Sequence, residues 1–579
     1  MSANGKDGHY DAVIVGSGFG GSVTAYRLAQ AGKSVCVLER GRAYPPGSFT
    51  RSPYRARESF WDPPRGLTGM YHYWSFRGID ALVSAGLGGG SLIYANVFIR
   101  KDEKWFVQED LRDGGYEHWP VSREDLDPHY DRVESMIGLQ SYPFDHEPYS
   151  TTPKTIAFKA AAEANGLEWF LPKLAVTFAN EGRPPVPGEA IVEKLENLHG
   201  RSRTTCQLCG ECDVGCNYGA KNTLDYNYLT HAAHHGADLR TLCDVRRFEP
   251  RDGGGYTVHY AELDDVTPAE DDGRPPPLRT VTCDHLVLSA GTLGTTNLLL
   301  RNRGAFPRLS RRLGTRFCGN GDLLTLVLNC REMVDGKPTP RIVDPGYGPV
   351  ITSTARMPDA LDGGEGRGFY LQDAGYPQQL AWILHVLAAP KSLWAWRSTA
   401  AFLVKNWLQG SPDTDVSGYV ADLLASRELS AGGLPLLGMG RDIPDGRMFL
   451  RNGRLDLDWN RRRSNAYFAR MRTTSRDFAH ALGGRYADNP IWFLRRVITV
   501  HPLGGCPMGR DAVEGVVDPN GNVFGYPGLH IADGSIMPGP VGPNPSFTIA
   551  ALADRFADRM LEPDHRASAR RRADGPPRG

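Results

Sequence analysis

Three rhythms of apolar and polar residues run along this chain. Near the N-terminus Ala12–Val15 is an unbroken apolar run, as expected of a strand buried on both faces of a parallel sheet. A helical rhythm follows over 22–31, then a second buried strand over 34–38. The same order of strand, glycine turn and helix recurs over 284–297, so this segment is expected to rejoin the first sheet. Between 239 and 258 a strand pair is predicted, with Gly253-Gly-Gly255 at its turn. Ser122-Arg-Glu-Asp125 predicts an N-capped helix with an acidic first turn, running through Tyr130. From about 314 to 497 the pattern loosens into alternating stretches such as Leu323–Leu328, read as mostly antiparallel sheet with helices on one side. A short strand over 529–532 and an Ala-rich helix after Asn544-Pro545 close the ordered part.

The punctuation between these elements carries chemistry. Gly16, Gly18 and Gly21 form G-x-G-x-x-G between the first strand and its helix. Gly16 permits the tight turn, Gly18 lets a pyrophosphate approach the backbone, and Gly21 lets helix and strand pack closely. Glu39 follows about twenty residues on, at the end of the second strand, where an acid accepts hydrogen bonds from ribose hydroxyls. A second glycine cluster, Ala85-Gly-Leu-Gly-Gly-Gly90-Ser91, is expected to press its backbone against a flat ligand where any Cβ would collide. From 42 to 78 the Pro-, Tyr-, Arg- and Trp-rich sequence suggests an excursion covering the nucleotide.

Composition narrows the class. At 579 residues the chain suggests two large domains or intertwined lobes, and the balance of 66 basic against 66 acidic residues gives no footprint for nucleic acid. Met1–His9 lacks the apolar core of a signal peptide, and no run of about 18 uncharged apolar residues exists, so a cytoplasmic location is expected. The segment 380–408 carries Trp382, Trp394, Trp396 and Trp407 among aliphatic residues. It reads as a buried helical pair or as an apolar, membrane-touching face admitting a lipid-like substrate. Four of the ten cysteines stand as Cys206-x2-Cys209-x2-Cys212-x3-Cys216, the spacing of a bacterial ferredoxin loop without the proline that follows its last cysteine. An iron–sulfur cluster, a zinc knot and free thiols all remain open for them. The other cysteines are scattered and read as core or turn residues.

The C-terminal part adds His501-Pro-Leu-Gly-Gly-Cys-Pro-Met-Gly509, a strand ending at Asp533-Gly534, and Asn544-Pro545 before the last helix. Together with the N-terminal fingerprint, the Gly86–Ser91 loop and the Gly291 turn, in this order, these blocks resemble the glucose–methanol–choline (GMC) oxidoreductases. The similarity covers nearly the whole chain and is greatest for the bacterial cholesterol oxidase-like branch, whose active-site pair is a histidine and an asparagine. The resemblance implies α/β and α+β architecture: a Rossmann-like FAD-binding domain on a parallel sheet (1–120, 190–313 and 498–561) interleaved with a substrate domain on a mostly antiparallel sheet (121–189 and 314–497). Residues 562–579 are read as a disordered tail. It further implies FAD held by Gly16, Gly18, Gly21, Glu39, Gly88, Gly90, Ser91, Asn96, Val245, Gly291, Asp533 and Gly534, with His501 and Asn544 facing the substrate alcohol.

On this reading an imidazole of near-neutral pKa accepts the alcohol proton, the hydride passes to flavin N5, and Asn544 orients the alcohol or flavin, or caps the last helix. The substrate expected is a sterol-like or other bulky hydrophobic secondary alcohol. The acceptor is oxygen or, if the four cysteines hold a cluster, an electron-acceptor protein or quinone. A flavin-bearing electron carrier without alcohol chemistry is the remaining alternative.

Overall fold

The computed structural model describes residues 8–107, 117–263, 277–376 and 433–562. The aromatic segment 380–408 and the tail beyond Glu562 lie outside them.

The first apolar run becomes the strand His9–Val15, whose Ala12–Val15 half is buried. It pairs in parallel with Val35–Leu38 on one side and Leu278–Leu288 on the other. Asp238–Arg240 extends the sheet, also in parallel, beyond Val35–Leu38. On its other edge Leu278–Leu288 is shared between two further neighbours. Its first half pairs antiparallel with Tyr256–Glu262 and its second half parallel with Leu529–Ile531. Cys243–Pro250 finishes the sheet as the antiparallel partner of Tyr256–Glu262 across the glycine triplet. Three distant stretches of chain thus build one sheet.

The helix after the first strand is Phe19–Gln30, beginning three residues before the expected Ser22. Glycines 20 and 21 therefore lie inside its first turn, against their intrinsic preference. The cause is tertiary. A Cβ on Gly20 would stand 1.4 Å from the Ala532 carbonyl oxygen, and one on Gly21 2.0 Å from that of Gly16. Only glycine lets this turn wedge between two strand ends.

The second sheet has six antiparallel strands in the order Arg485–Asp488, Leu323–Leu328, Leu434–Gly440, Phe369–Asp373, Thr354–Met357 and Trp169–Phe170. Helices Pro153–Ala164 and Asn465–Ala481 pack on it, with the rings of Phe158 and Phe478 5.1 Å apart. The expected N-cap is present at the helix Arg123–Ile137, and the structure makes it a capping box: Ser122 and Asp125 satisfy each other's backbone N–H. No helix among the described residues is long and apolar enough to cross a membrane.

Candidate active site

Where His9–Val15, Val35–Leu38 and Leu278–Leu288 end at their carboxyl side, a cavity of about 950 Å³ opens. That edge of a parallel sheet is the usual ligand position. Gly18, Gly90 and Gly291 present bare backbone to it, with nothing within 4 Å of where a Cβ would sit. The helix Phe19–Gln30 starts with no side-chain cap, so its first N–H groups remain available to an anion. Gly89 has a different cause, since a Cβ there would stand 2.6 Å from Gly18 Cα. Part of the second glycine cluster therefore serves contact between two chain segments.

The two expected acids are engaged by protein. Glu39 accepts from the backbone N–H groups of Ser17, Gly41 and Gly86 and from the Ser17 hydroxyl, at 2.7–3.2 Å. About four lone-pair sites of a carboxylate are thereby occupied, so a ribose hydroxyl would have to share them. Glu39 ties the fingerprint turn to the second glycine loop. Asp533 accepts from Gly291 and Ser535 N–H and from the Thr295 and Ser535 hydroxyls, and burial pushes its carboxyl up from the ordinary range.

Gly16, Val245 and Gly534 also line the cavity. Gly21, Gly88, Ser91 and Asn96 do not, and stand behind its wall. Asn96 is inaccessible at φ +68°, and both polar atoms of its amide lack a partner. The open glycine faces and the uncapped helix start fit a bound dinucleotide.

His501 and Asn544 line the same cavity, with an apolar wall that includes Leu324, Ile351, Ala374 and Leu437. The His501 Nδ1–H donates to the Asp322 carboxylate at 2.8 Å. The other Asp322 oxygen accepts from the Thr499 hydroxyl and from the N–H groups of Val500 and His501. A carboxylate can only accept, so Nδ1 carries the proton and Nε2, which has no protein partner among the described residues, is the basic nitrogen. Asn544 does not cap Ser546–Leu561, which has no side-chain cap. Its Oδ1 accepts instead from Gln372 Nε2 at 3.0 Å. The loop that carries Asn544 is clamped from two sides. Lys101 Nζ donates to the carbonyls of Pro540 and Val541, and Asn320 exchanges hydrogen bonds with Gly542 and Pro543.

Asp322 and Gln372 escaped the sequence reading. Asp322 ends an Asn-Gly-Asp turn immediately before the alternating run Leu323–Leu328, and an acid at the mouth of a strand was the available signal. Gln372 lies within a fully buried strand and gave none.

The four clustered cysteines form no disulfide and line one small cavity of about 20 Å³. Cys212 borders it, while the next residues, Asp213 and Val214, line the large one. No three of the sulfurs lie within 4.8 Å of one another. Tetrahedral zinc would bring them to about 3.8 Å, given Zn–S bonds of about 2.3 Å. A cluster with its own sulfides holds its cysteines farther apart. Burial pushes the Cys206 thiol well up and Cys209 up to about 12, so metal binding here must displace protons.

Family models described as GMC oxidoreductase match residues 194–316 and 457–553, and a NAD(P)-binding Rossmann-like domain matches residues 14–71. Cholesterol oxidase of Mycobacterium tuberculosis (strain ATCC 25618 / H37Rv) is 30% identical over 98% of this chain and 93% of its own length. Cholesterol oxidase of Acinetobacter baumannii is 28% identical over 96% of this chain and 94% of its own. Among solved structures, pyridoxine 4-oxidase from Mesorbium loti superposes with a TM-score of 0.53 at 17% identity, covering 95% of this chain and 98% of that one. At that identity the likeness concerns the fold alone.

Proposed function

The chain belongs to the GMC oxidoreductase family and is an FAD-dependent alcohol oxidoreductase, and from that premise we propose that it oxidises a sterol-like or other bulky hydrophobic secondary alcohol with His501 as base. The observation that carries the reading is the pairing, in one cavity lined also by apolar residues, of an imidazole fixed by Asp322 with an asparagine amide. His501 Nε2 takes the hydroxyl proton as the C–H bond becomes a hydride donor, and the Asp322 carboxylate stabilises the charge that forms on the ring. Asn544 holds the substrate oxygen in place. FAD, when bound, supplies the hydride acceptor at its N5.

The residues assigned to hold FAD are Gly16, Gly18, Gly90, Val245, Gly291 and Gly534, with Gly21, Glu39, Gly88, Ser91, Asn96 and Asp533 supporting them from behind or through the backbone. The division between cofactor-bearing and substrate-bearing stretches follows the two sheets. The cholesterol oxidases among the relatives support both a hydrophobic substrate and oxygen as acceptor.

The test is anaerobic mixing of the FAD-loaded enzyme with cholesterol, dodecanol or benzyl alcohol while flavin absorbance is followed. Bleaching by cholesterol, slowed about 10²–10⁴-fold in His501→Ala at unchanged flavin content, is expected. An equal rate in the variant would remove His501 from its role, and a preference for dodecanol would move the substrate to long-chain alcohols.

A second reading of the acceptor rests on the four thiols around one cavity beside the large one. An iron–sulfur cluster there would supply an outward electron path to a protein or quinone. Iron and acid-labile sulfide in anaerobically purified protein support it. Zinc alone, or no metal, leaves oxygen as the acceptor.

A further inference from the structure

Gln372 and Asn544 lie 172 positions apart, and their side-chain amides meet in the interior. Gln372 Nε2 donates to Asn544 Oδ1 at 3.0 Å and to the Thr354 hydroxyl at 3.3 Å. Gln372 is inaccessible and stands behind the cavity wall, whereas Asn544 is part of that wall. An amide has two unlike ends, so what grips one end decides what the other offers. Here Oδ1 is held from behind. Asn544 Nδ2, with no protein partner among the described residues, is the end left for the cavity.

The opposite polarity would be costlier. Turning both amides over would leave the Gln372 NH2 buried without an acceptor, whereas the observed arrangement leaves only Gln372 Oε1 without a partner. Unpaired buried N–H groups are rarer in folded proteins than under-satisfied oxygens.

We propose that Gln372 is a positioning residue that fixes Asn544 as a hydrogen-bond donor toward the substrate oxygen. This rests on His501 and Asn544 facing the alcohol. With His501 Nε2 as acceptor and Asn544 Nδ2 as donor, the site fits one oxygen that gives up its proton and keeps lone pairs as it becomes a carbonyl. An alkylammonium group of the same shape has only donors to present, and one of them would face Nδ2. The polarity set by Gln372 therefore selects alcohols and their carbonyl products over protonated amines.

Few charges bear on Gln372. Its neighbours across the sheet are Thr354 and Leu437. The adjacent Asp373 is engaged by Thr352 and Ser353 and lies 3.7 Å from Lys154. On the far side of Asn544, within the same cavity, stands the His501–Asp322 pair.

The test compares Gln372→Glu and Gln372→Met with wild type in the FAD-loaded enzyme. The readout is anaerobic flavin reduction across a pH range, with whichever of cholesterol, dodecanol and benzyl alcohol reduces wild type fastest. At about pH 9 the introduced carboxylate can only accept, so it draws Asn544 Nδ2 inward and turns the oxygen to the cavity. Loss of a donor aimed at developing charge predicts a rate at least about tenfold lower. As pH falls and the carboxyl gains a proton to donate, the ratio of wild-type to variant rate should drop toward one. Gln372→Met, which adds no titratable group, separates the effect of the new carboxylate from the pH dependence already present in wild type. It should show a loss that is independent of pH and smaller than that of Gln372→Glu at about pH 9. Flavin content and melting temperature within the wild-type range would show that both variants fold.

Equal losses in the two variants, independent of pH, or a Gln372→Glu enzyme as fast as wild type at about pH 9, would overturn the proposal. A wild type that none of the three alcohols reduces, or one that His501→Ala matches, would instead overturn the reading beneath it.

Discussion

At the scale of single residues the site is a contrast between one fixed acceptor and one amide. Asp322 receives four donors, and all of them come from the segment Thr499–His501. The carboxylate thus holds both the backbone that presents the imidazole and the ring nitrogen that must stay protonated. Asp322→Asn keeps the shape but can offer an N–H to Nδ1, which stabilises the tautomer whose Nε2 already carries a proton. Flavin reduction by an alcohol should fall by about 10²-fold or more in this variant, because the base is then occupied. The asparagine carbonyl oxygen can keep the contacts to the Thr499 hydroxyl and to the Val500 and His501 N–H groups, and the glycine cradle lies elsewhere, so bound FAD should be retained. Stopped-flow reduction beside a flavin-to-protein absorbance ratio checks both halves. A fast variant would mean that Asp322 only braces the turn.

At the scale of elements the glycines divide by what they face. Gly18 looks into open cavity, whereas a Cβ on Gly21 would enter the Gly16 carbonyl at 2.0 Å. The two substitutions should therefore fail differently. Gly18→Ala should fold with a near wild-type melting temperature in the apo form and lose FAD affinity, because its methyl fills the space a pyrophosphate needs. Gly21→Ala should melt earlier in the apo form as well, since backbone must move to admit the methyl. Apo-protein melting and FAD titration separate the two, and equal behaviour would remove the distinction between cradle and packing glycines.

This division also marks what could be read in advance. The strand, turn and helix over 12–31 and 284–297 were legible because the pattern is local, a few glycines at fixed offsets between apolar runs. So was the N-cap at Ser122. The helix start at Phe19 was missed because glycine propensity is outvoted by the Ala532 carbonyl, more than five hundred residues away in sequence. The grips of Asp322 on His501 and Gln372 on Asn544 span 179 and 172 positions, and no short-range periodicity reports them.

For the whole molecule the question is what holds the antiparallel sheet, with its apolar wall, against the loop that carries Asn544. A buried ion cluster runs along that path. Arg441, just beyond the strand Leu434–Gly440, is inaccessible and donates to Asp359 at 2.8 Å and to Glu117 at 3.1 Å. Glu117 also accepts from the Trp119 indole N–H, and Lys101 Nζ lies 4.3 Å from the centre of a Trp119 ring while gripping the carbonyls of Pro540 and Val541. Burial alone would push Asp359 up. The Arg441 charge and several N–H donors outweigh it and hold the carboxyl below its ordinary value. A depressed carboxylate of this kind adds stability above its unfolded pKa, near 3.8, and loses it as pH falls through the folded value.

Arg441→Met should reverse that sign while costing about 3–5 kcal/mol at neutral pH, because two buried carboxylates lose their cation. Without the guanidinium, burial dominates at Asp359, its carboxyl titrates above the unfolded value, and the variant should become less stable as pH rises through that window. Denaturant unfolding at acid and neutral pH measures it. A wild type losing stability toward acid beside a variant gaining it would place the charge cluster among the contacts that set the two sheets together. A constant offset between the two curves would mean that Arg441 contributes packing alone.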